Sequence, residues 1–311
     1  EIFGQNEAAV AIAAAFGKHN SQLQDQKGPI GVFLFVGPPG TGKFATARAV
    51  ASCLFQDPSG FCYVNCNNPI PITQRDLDGP HHRLLAKIHE KEIDQFNAWS
   101  IQLDEKIEKT KLLSAEMEKL QRELTEWRTA IKRRRHRGTI IAASELAKLA
   151  RLDVKHSKLL GRLLENDKAN KKENSKFNQR LAEMARSGWI YQEKFPPENL
   201  LSVVFYDQIE NDDDSGFINF LAEILDHGQG TVIRQSKPAI LSFKNSFVFI
   251  SLTIPEEKLN KLLENEEHMG FKSAHEIAPQ TALNKKIKDF AIEETNIPVR
   301  ILDRLEVVVF R

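Results

Sequence analysis

Residues 29–43 read PIGVFLFVGPPGTGK, and this stretch decides the fold of the chain. It opens with a continuous apolar run to Val36, which is typical of a strand buried on both faces of a parallel sheet. A glycine-rich turn follows, and apolar residues then recur at helical spacing. Strand, loop and helix, with G-x4-G-K in the loop, predict a phosphate-binding loop. We therefore expect ATP to bind at Pro38, Pro39, Gly40, Thr41, Gly42, Lys43 and Phe44.

Three positions bear on magnesium and on hydrolysis. A phosphate loop calls for Ser or Thr after the lysine, because its hydroxyl coordinates Mg²⁺, and this chain has Phe44 there. A second apolar run ends in Asp207, which we expect to organise Mg²⁺ and its waters. Gln208 follows where a catalytic glutamate is expected, and an amide orients water without taking its proton. Gln208 is either a natural loss of catalysis or a deliberate change made to trap bound ATP.

Short apolar runs towards both ends of the chain predict an α/β fold with a doubly wound parallel sheet. These runs are residues 29–36, 200–206, 247–252 and 305–310. The middle of the chain is charged and free of proline, with apolar residues mostly three and four apart, which predicts a coiled-coil hairpin. We assign residues 1–81 and 188–311 to the nucleotide-binding core and residues 82–187 to the inserted hairpin.

The basic run KRRRHR, residues 132–137, stands where the hairpin is expected to turn. Such a cluster suits nucleic acid, an acidic protein or lipid head groups. The plain alternative is a solvated helix end, whose positive charge complements the helix dipole. The sequence leaves these readings open.

Composition narrows the class of protein. The 43 Lys and Arg nearly cancel the 42 Asp and Glu, so no global field favours nucleic acid or a membrane. No apolar run approaches the about 20 residues that span a bilayer. Three cysteines are too few for a disulfide framework, and we expect a cytoplasmic protein. The chain lacks an initial Met and stops on an apolar run, so we expect a fragment.

The cysteines also admit a zinc site. Cys53, Cys62 and Cys66 lie close in sequence to His81 and His82. The spacing is C-x3-C and a fourth ligand is not obvious, so we favour structural cysteines.

Six further motifs occur in order along the chain. They are IFGQNEA at 2–8, LQD at 23–25, DQIE at 207–210, DHGQGT at 226–231, FKNSFVFI at 243–250 and PVRILDRLEVVVF at 298–310. With the phosphate loop they resemble the Clp-type AAA+ unfolding and disaggregating ATPases, over roughly the first 55 and last 115 residues. The resemblance implies that Ile2 and Phe3 pack on adenine. It also implies that Thr253 approaches the γ-phosphate and that Arg304 is the arginine finger for a neighbouring subunit.

The chain also departs from this family. Thr253 replaces the sensor asparagine, and the long hairpin stands where the family has a short aromatic pore loop. Residues 188–191 (GWIY) are either a displaced pore loop or, as we favour, aromatic packing at the base of the hairpin. We expect a module without the small helical lid of the family and its arginine sensor, so protein threading is implied by kinship alone.

The sequence thus predicts an ATP- and Mg²⁺-binding module of a Clp-like AAA+ ring, homo- or hetero-oligomeric and hexameric. The hairpin would contact a protein partner, a substrate or the adjacent subunit. Whether ATP is hydrolysed stays open, because Phe44 and Gln208 both remove groups that hydrolysis uses. One alternative is an inactive nucleotide-binding scaffold that assembles a ring. Another, resting on the basic run and the cysteine spacing, is a DNA-associated motor that resembles clamp loaders.

Overall fold

The computed structural model describes residues 5–21, 28–66, 72–192, 194–195, 200–211, 216–234, 237–264, 277–295 and 297–311. The chain divides into two compact units. The first combines Glu1–Lys87 with Glu198–Arg311, and the second is the intervening segment Ile88–Pro197.

The first unit is built on a parallel sheet. The strands of the described residues are β1 (Gly31–Gly37), β2 (Cys62–Asn65), β3 (Ser202–Asp207), β4 (Gln229–Arg234), β5 (Lys237–Ser242), β6 (Ser246–Thr253) and β7 (Glu306–Val309). Five of them lie side by side in the order β2-β3-β6-β1-β7, and every pairing in this sheet is parallel. The remaining two, β4 and β5, form a separate antiparallel hairpin.

Helices of the first unit cover both faces of the sheet. The described helices are α1 (Asn6–Asn20), α2 (Lys43–Phe55), α3 (Gln74–Ile88), α4 (Glu90–His136), α5 (Ala143–Arg186), α6 (Gly216–His227), α7 (Glu256–Glu264), α8 (Ile277–Glu294) and α9 (Val299–Leu302). Alternate residues of each strand enter opposite layers, because strand side chains have a period of two. Phe33 and Phe35 join the layer of α1 and α2, whereas Leu34 joins the layer of α6 to α9. The predicted doubly wound α/β fold is confirmed.

The register of the sheet brings the carboxyl ends of the central strands together. Gly37 at the end of β1 pairs with Thr253 at the end of β6. Asp207 at the end of β3 pairs with Asn65 at the end of β2. Ligands of open α/β sheets bind at this edge, so the sheet itself defines where a site is to be sought.

The second unit is a pair of antiparallel helices, α4 with 47 residues and α5 with 44. Trp99 donates a hydrogen bond to Glu173 towards one end, and Arg134 pairs with Glu145 at the other. Both helices contribute to a buried apolar seam, which includes Leu103, Leu120, Leu124 and Leu159. At about 1.5 Å per residue the longer helix extends for about 70 Å. Within the described part of the chain, no helix combines the length and apolarity needed to span a membrane.

Aromatic packing closes the base of the hairpin. Trp189 stacks on His89, with ring centroids 3.7 Å apart, and the Arg180 guanidinium lies 5.4 Å from the Trp189 ring. Phe96 stacks on Phe177 at 4.4 Å. Trp189 thus packs as we favoured for residues 188–191, whereas Tyr191 of the same segment is 46% exposed.

Candidate functional site

The phosphate loop connects β1 to α2 at the carboxyl edge of the sheet. Gly40 and Gly42 have φ angles of 81° and 97°, a left-handed conformation that side chains other than glycine rarely adopt. A methyl group added at either glycine would meet no atom within 4 Å, so the space in front of the loop is open. Backbone N–H groups of such a loop, at the N-terminus of a helix, form a cradle for anions. The loop therefore fits a phosphate group.

Lys43, the first residue of α2, is the buried cation of this edge. It is only 8% exposed, and its Nζ donates hydrogen bonds to the carbonyl oxygens of Gly37 at 2.7 Å and Pro38 at 2.8 Å. Burial lowers the pKa of Lys43, while the carboxylates of Glu210 and Asp207 act in the opposite direction. An arriving phosphate would accept the hydrogen bonds that Lys43 now donates to these two loop carbonyl groups.

Asp207 is held by two hydroxyl groups from neighbouring strands. Its Oδ1 accepts a hydrogen bond from Ser251 Oγ at 2.5 Å, and its Oδ2 accepts one from Tyr63 Oη at 3.0 Å. Burial, and then the hydrogen bond to Asp207, raise the pKa of Tyr63. Sequence reasoning missed Ser251 and Tyr63, because they are linked to Asp207 only by strand pairing. The strand register, rather than any local motif, orients this carboxylate.

Gln208 and Glu210 lie in the turn that follows β3. Gln208 has a φ of 62°, which is uncommon for a residue other than glycine, and its backbone N–H donates to Ser251 Oγ at 2.9 Å. A short 3₁₀ turn, Ile209–Asn211, carries Glu210 back to the sheet edge, where its Oε2 accepts a hydrogen bond from the Thr253 backbone at 3.1 Å. Sequence reasoning gave Glu210 no role. Its position two residues after the expected catalytic glutamate was the available signal.

Phe44 belongs to an aromatic cluster, which we define as Phe44, Phe61, Tyr63 and Phe205. The Phe44 ring meets the other three edge to face, at centroid distances of 5.3, 5.7 and 5.7 Å. It remains 43% exposed. The cluster explains why an aromatic residue is accommodated here, although the position offers no oxygen to a metal.

Magnesium fits this edge only in part. Asp207 supplies carboxylate oxygens, which suit Mg²⁺ and its bound waters. Phe44 supplies nothing where a hydroxyl is expected. Among the described residues, no group of three or more His, Cys, Asp and Glu side chains is placed to hold a metal ion.

Arg304 makes contacts within its own chain. Its guanidinium pairs with the Asp226 carboxylate and donates to the Leu225 carbonyl oxygen. The side chain is 45% exposed, so part of it remains open to solvent. An action on a neighbouring subunit would require these internal contacts to exchange.

An apolar cavity of about 500 Å³ lies between α1 and α2. Its lining includes Ala9, Ile12, Phe16, Val50 and Leu54. Gln5 stands beside it and donates a hydrogen bond from Nε2 to the Thr41 carbonyl oxygen at 3.2 Å, which ties the start of α1 to the phosphate loop. The predicted adenine contacts Ile2 and Phe3 lie outside the described residues.

The buried cysteines belong to the core. Cys62 and Cys66 both join the hydrophobic layer that contains Leu77 and Leu221. Burial raises the pKa of Cys62 to about 12. These positions support the interpretation as structural cysteines.

No family model matches the chain. Among its curated relatives, the negative regulator of genetic competence ClpC/MecB of Bacillus subtilis is 48% identical over 56 residues, 18% of this chain and 7% of the relative. Chaperone protein ClpB of Porphyromonas gingivalis is 48% identical over 58 residues, 19% of this chain and 7% of the relative. Chaperone protein ClpB 2 of Thermosynechococcus vestitus is 46% identical over 56 residues, which are 18% of this chain and 6% of the relative. The matched segment is thus less than a tenth of each relative.

Among solved structures, the Saccharomyces cerevisiae Hsp104-ADP complex aligns with all of this chain and 34% of its own, at 16% identity and a TM-score of 0.44. A closed-state Hsp104 reconstruction with ATPγS and casein aligns equally widely, at 14% identity and the same TM-score.

Proposed function

We propose that this chain, a relative of the Clp-type AAA+ ATPases, is the ATP-binding module of a Clp-like protein-remodelling machine. The observation that carries the proposal is the position of Lys43, a buried cation in an open phosphate loop, with Asp207 and Glu210 nearby. An identity of 46 to 48% to ClpB and ClpC proteins over 56 residues supports the family in this proposal.

In this proposal each residue of the edge has a separate task. Lys43 and the loop N–H groups bind the phosphates, and the apolar cavity between α1 and α2 receives the adenine. Asp207 would hold the waters of Mg²⁺, which, when bound, neutralises the charge that develops on the phosphates. Thr253 lies at the end of β6 and faces the γ-phosphate. Subunits assemble into a hexameric ring, in which Arg304 reaches a neighbour's nucleotide.

Hydrolysis by this site is slow or lost. Gln208 orients an attacking water but accepts no proton from it, and loss of a general base costs about 10²- to 10⁴-fold in rate. Phe44 removes the hydroxyl that a phosphate loop offers to Mg²⁺. A second function therefore follows from these two residues: ATP serves to assemble a ring scaffold that presents the helical hairpin to a partner protein.

Nucleotide binding is tested with the fluorescence of a labelled ATP analogue. Replacing Lys43 with alanine removes a charge-assisted hydrogen bond to phosphate, which is worth about 1.5 to 3 kcal/mol, so the Kd should rise by about 10- to 150-fold. Lys18→Ala removes an exposed lysine of α1 and serves as the matched control. Equal affinity of wild type and Lys43→Ala would contradict the proposed site.

The choice between motor and scaffold is tested by turnover. We expect wild type to show negligible phosphate release, and Gln208→Glu, alone or with Phe44→Thr, to raise it by about 10²-fold or more. Robust phosphate release by wild type would count against the scaffold, and full turnover by Gln208→Glu alone would leave Phe44 without consequence. If both changes together bind ATP and remain inert, the motor function is wrong.

A further inference from the structure

The turn of the helical hairpin carries the densest charge of the chain. We call five residues the basic collar: Lys132, Arg133, Arg134, Arg135 and Arg137. All are exposed, and together they surround the end of α4. The turn beyond them is short, with Gly138 at a φ of 71° and α5 beginning at Ala143. The collar is therefore the extreme end of an arm about 70 Å long.

The charge of the collar is poorly compensated. The sequence has no Asp or Glu between Glu126 and Glu145. Arg134 pairs with Glu145 at 2.6 Å, and this is the ion pair that the described residues offer to the collar. Four cations thus stand without a carboxylate partner at one end of a helix. Mutual repulsion of this kind is a cost to the fold, and an anionic partner would remove it.

The arrangement of these cations indicates the shape of the partner. Residues 132–135 are consecutive, and successive helical positions differ by about 100°, so their side chains project to all sides of α4. A helix that lies along a nucleic-acid groove presents its cations on one face. A ring of cations at a helix end is suited to end-on contact with a flat anionic surface.

Ile140 supplies the second observation. It lies at the apex of the turn and is 95% exposed, the largest value of any exposed apolar side chain in the described residues. Contact with phosphate groups gives an isoleucine side chain no favourable free energy, whereas transfer from water into the apolar boundary beneath lipid head groups does. The Lys148 ammonium lies 4.5 Å from the centroid of the Trp127 ring, so it occupies a face on which a base could otherwise stack.

We propose that the end of the hairpin docks end-on onto a membrane leaflet that contains anionic phospholipid. The collar contacts the head groups, with long side chains that reach outwards while their charges stay in water, and Ile140 enters the boundary below. This is surface attachment without a span. It goes beyond nucleotide binding and does not depend on it.

The proposal is tested by flotation of the full chain with vesicles of phosphatidylcholine containing one third phosphatidylserine, at low salt. Each Lys or Arg near such a surface contributes about 1 kcal/mol, so Arg133→Gln with Arg135→Gln should lower the partition coefficient by about 25-fold. Ile140→Ser should lower it by about fivefold, because part of an isoleucine side chain leaves water. Binding should weaken as salt rises.

The matched control is Lys168→Gln with Lys172→Gln, which removes two exposed charges from the side of α5 and should change the partition by less than about twofold. Glutamine is a good helix former, and circular dichroism checks that each variant keeps its helices. Equal binding to neutral vesicles, or equal losses in the collar and control variants, would overturn the proposal. Salt-sensitive binding to a DNA duplex without vesicle binding would replace the lipid with nucleic acid.

Discussion

Replacing Phe44 with threonine should separate what this residue contributes to stability from what it takes away from metal binding. The phenyl ring makes three edge-to-face contacts, with Phe61, Tyr63 and Phe205, at 5.3 to 5.7 Å. Threonine removes all three and adds a hydroxyl at the position where a phosphate loop binds Mg²⁺. The same substitution should therefore lower stability and raise nucleotide affinity in the presence of Mg²⁺.

The magnitude of the loss follows from the contacts. An aromatic pair contributes about 0.5 to 1.5 kcal/mol beyond its buried area, and Phe44 is 43% exposed, so we take the lower half of that range for each pair. We expect the free energy of unfolding to fall by about 1.5 to 3 kcal/mol, and Tm by roughly 3 to 12 °C.

The assay is thermal unfolding with and without ATP, each in excess Mg²⁺ and in EDTA. Phe44→Leu is the matched control, since it removes the ring and supplies no oxygen. We expect both variants to melt below wild type without nucleotide, and only the threonine variant to gain a Mg²⁺-dependent stabilisation by ATP.

Two results would refute this reasoning. Unchanged Tm in both variants would mean that the aromatic cluster contributes nothing to the fold. A Mg²⁺ response of the leucine variant as large as that of the threonine variant would assign the effect to the removed ring and not to the added hydroxyl.

Other consequences are checked by simple measurements. Burial raises the pKa of Asp78 from 3.8 to about 6, so its ionisation costs stability as pH rises through that range. Asp78→Asn should raise the unfolding free energy by about 2 to 3 kcal/mol near neutrality and by nothing below pH 3.5, measured by urea unfolding; a pH-independent gain would contradict this. The pKa of Cys62, raised from 9.0 to about 12, leaves about a thousandth of the usual thiolate, so iodoacetamide at pH 8 should label Cys53 first, as mass spectrometry would show. Trp189→Ala should cost about 2 kcal/mol in the unfolding of the hairpin followed by circular dichroism, and an unchanged melt would dismiss the stack on His89.

Most elements of the fold could be predicted from local sequence patterns. The apolar run before Gly37 and the loop chemistry after it predicted a buried strand and a helix, and β1 and α2 are found there. The hairpin was predictable because its apolar seam repeats every three to four residues, a spacing that only helices use. The domain limits at residues 82 and 187, the ring and the role of Arg304 stay predictions.

Only part of the candidate site could be predicted from the sequence. Contiguous motifs contain Lys43, Asp207 and Gln208, so residue type and spacing were enough to predict that they belong to the site. Ser251 and Tyr63 do not, because each reaches Asp207 through strand pairing across 44 and 144 residues of chain.

The sequence by itself determined which chemistry is available, namely a phosphate loop with its lysine, a strand-end carboxylate, and two positions where catalytic groups are replaced. Tertiary structure decided how these groups are used. Parallel pairing of β3 between β2 and β6 brings two hydroxyl groups onto one carboxylate, and the 3₁₀ turn after β3 brings Glu210 to the backbone of Thr253. The physical reason is that a motif specifies neighbours along the chain, whereas strand register specifies neighbours in space.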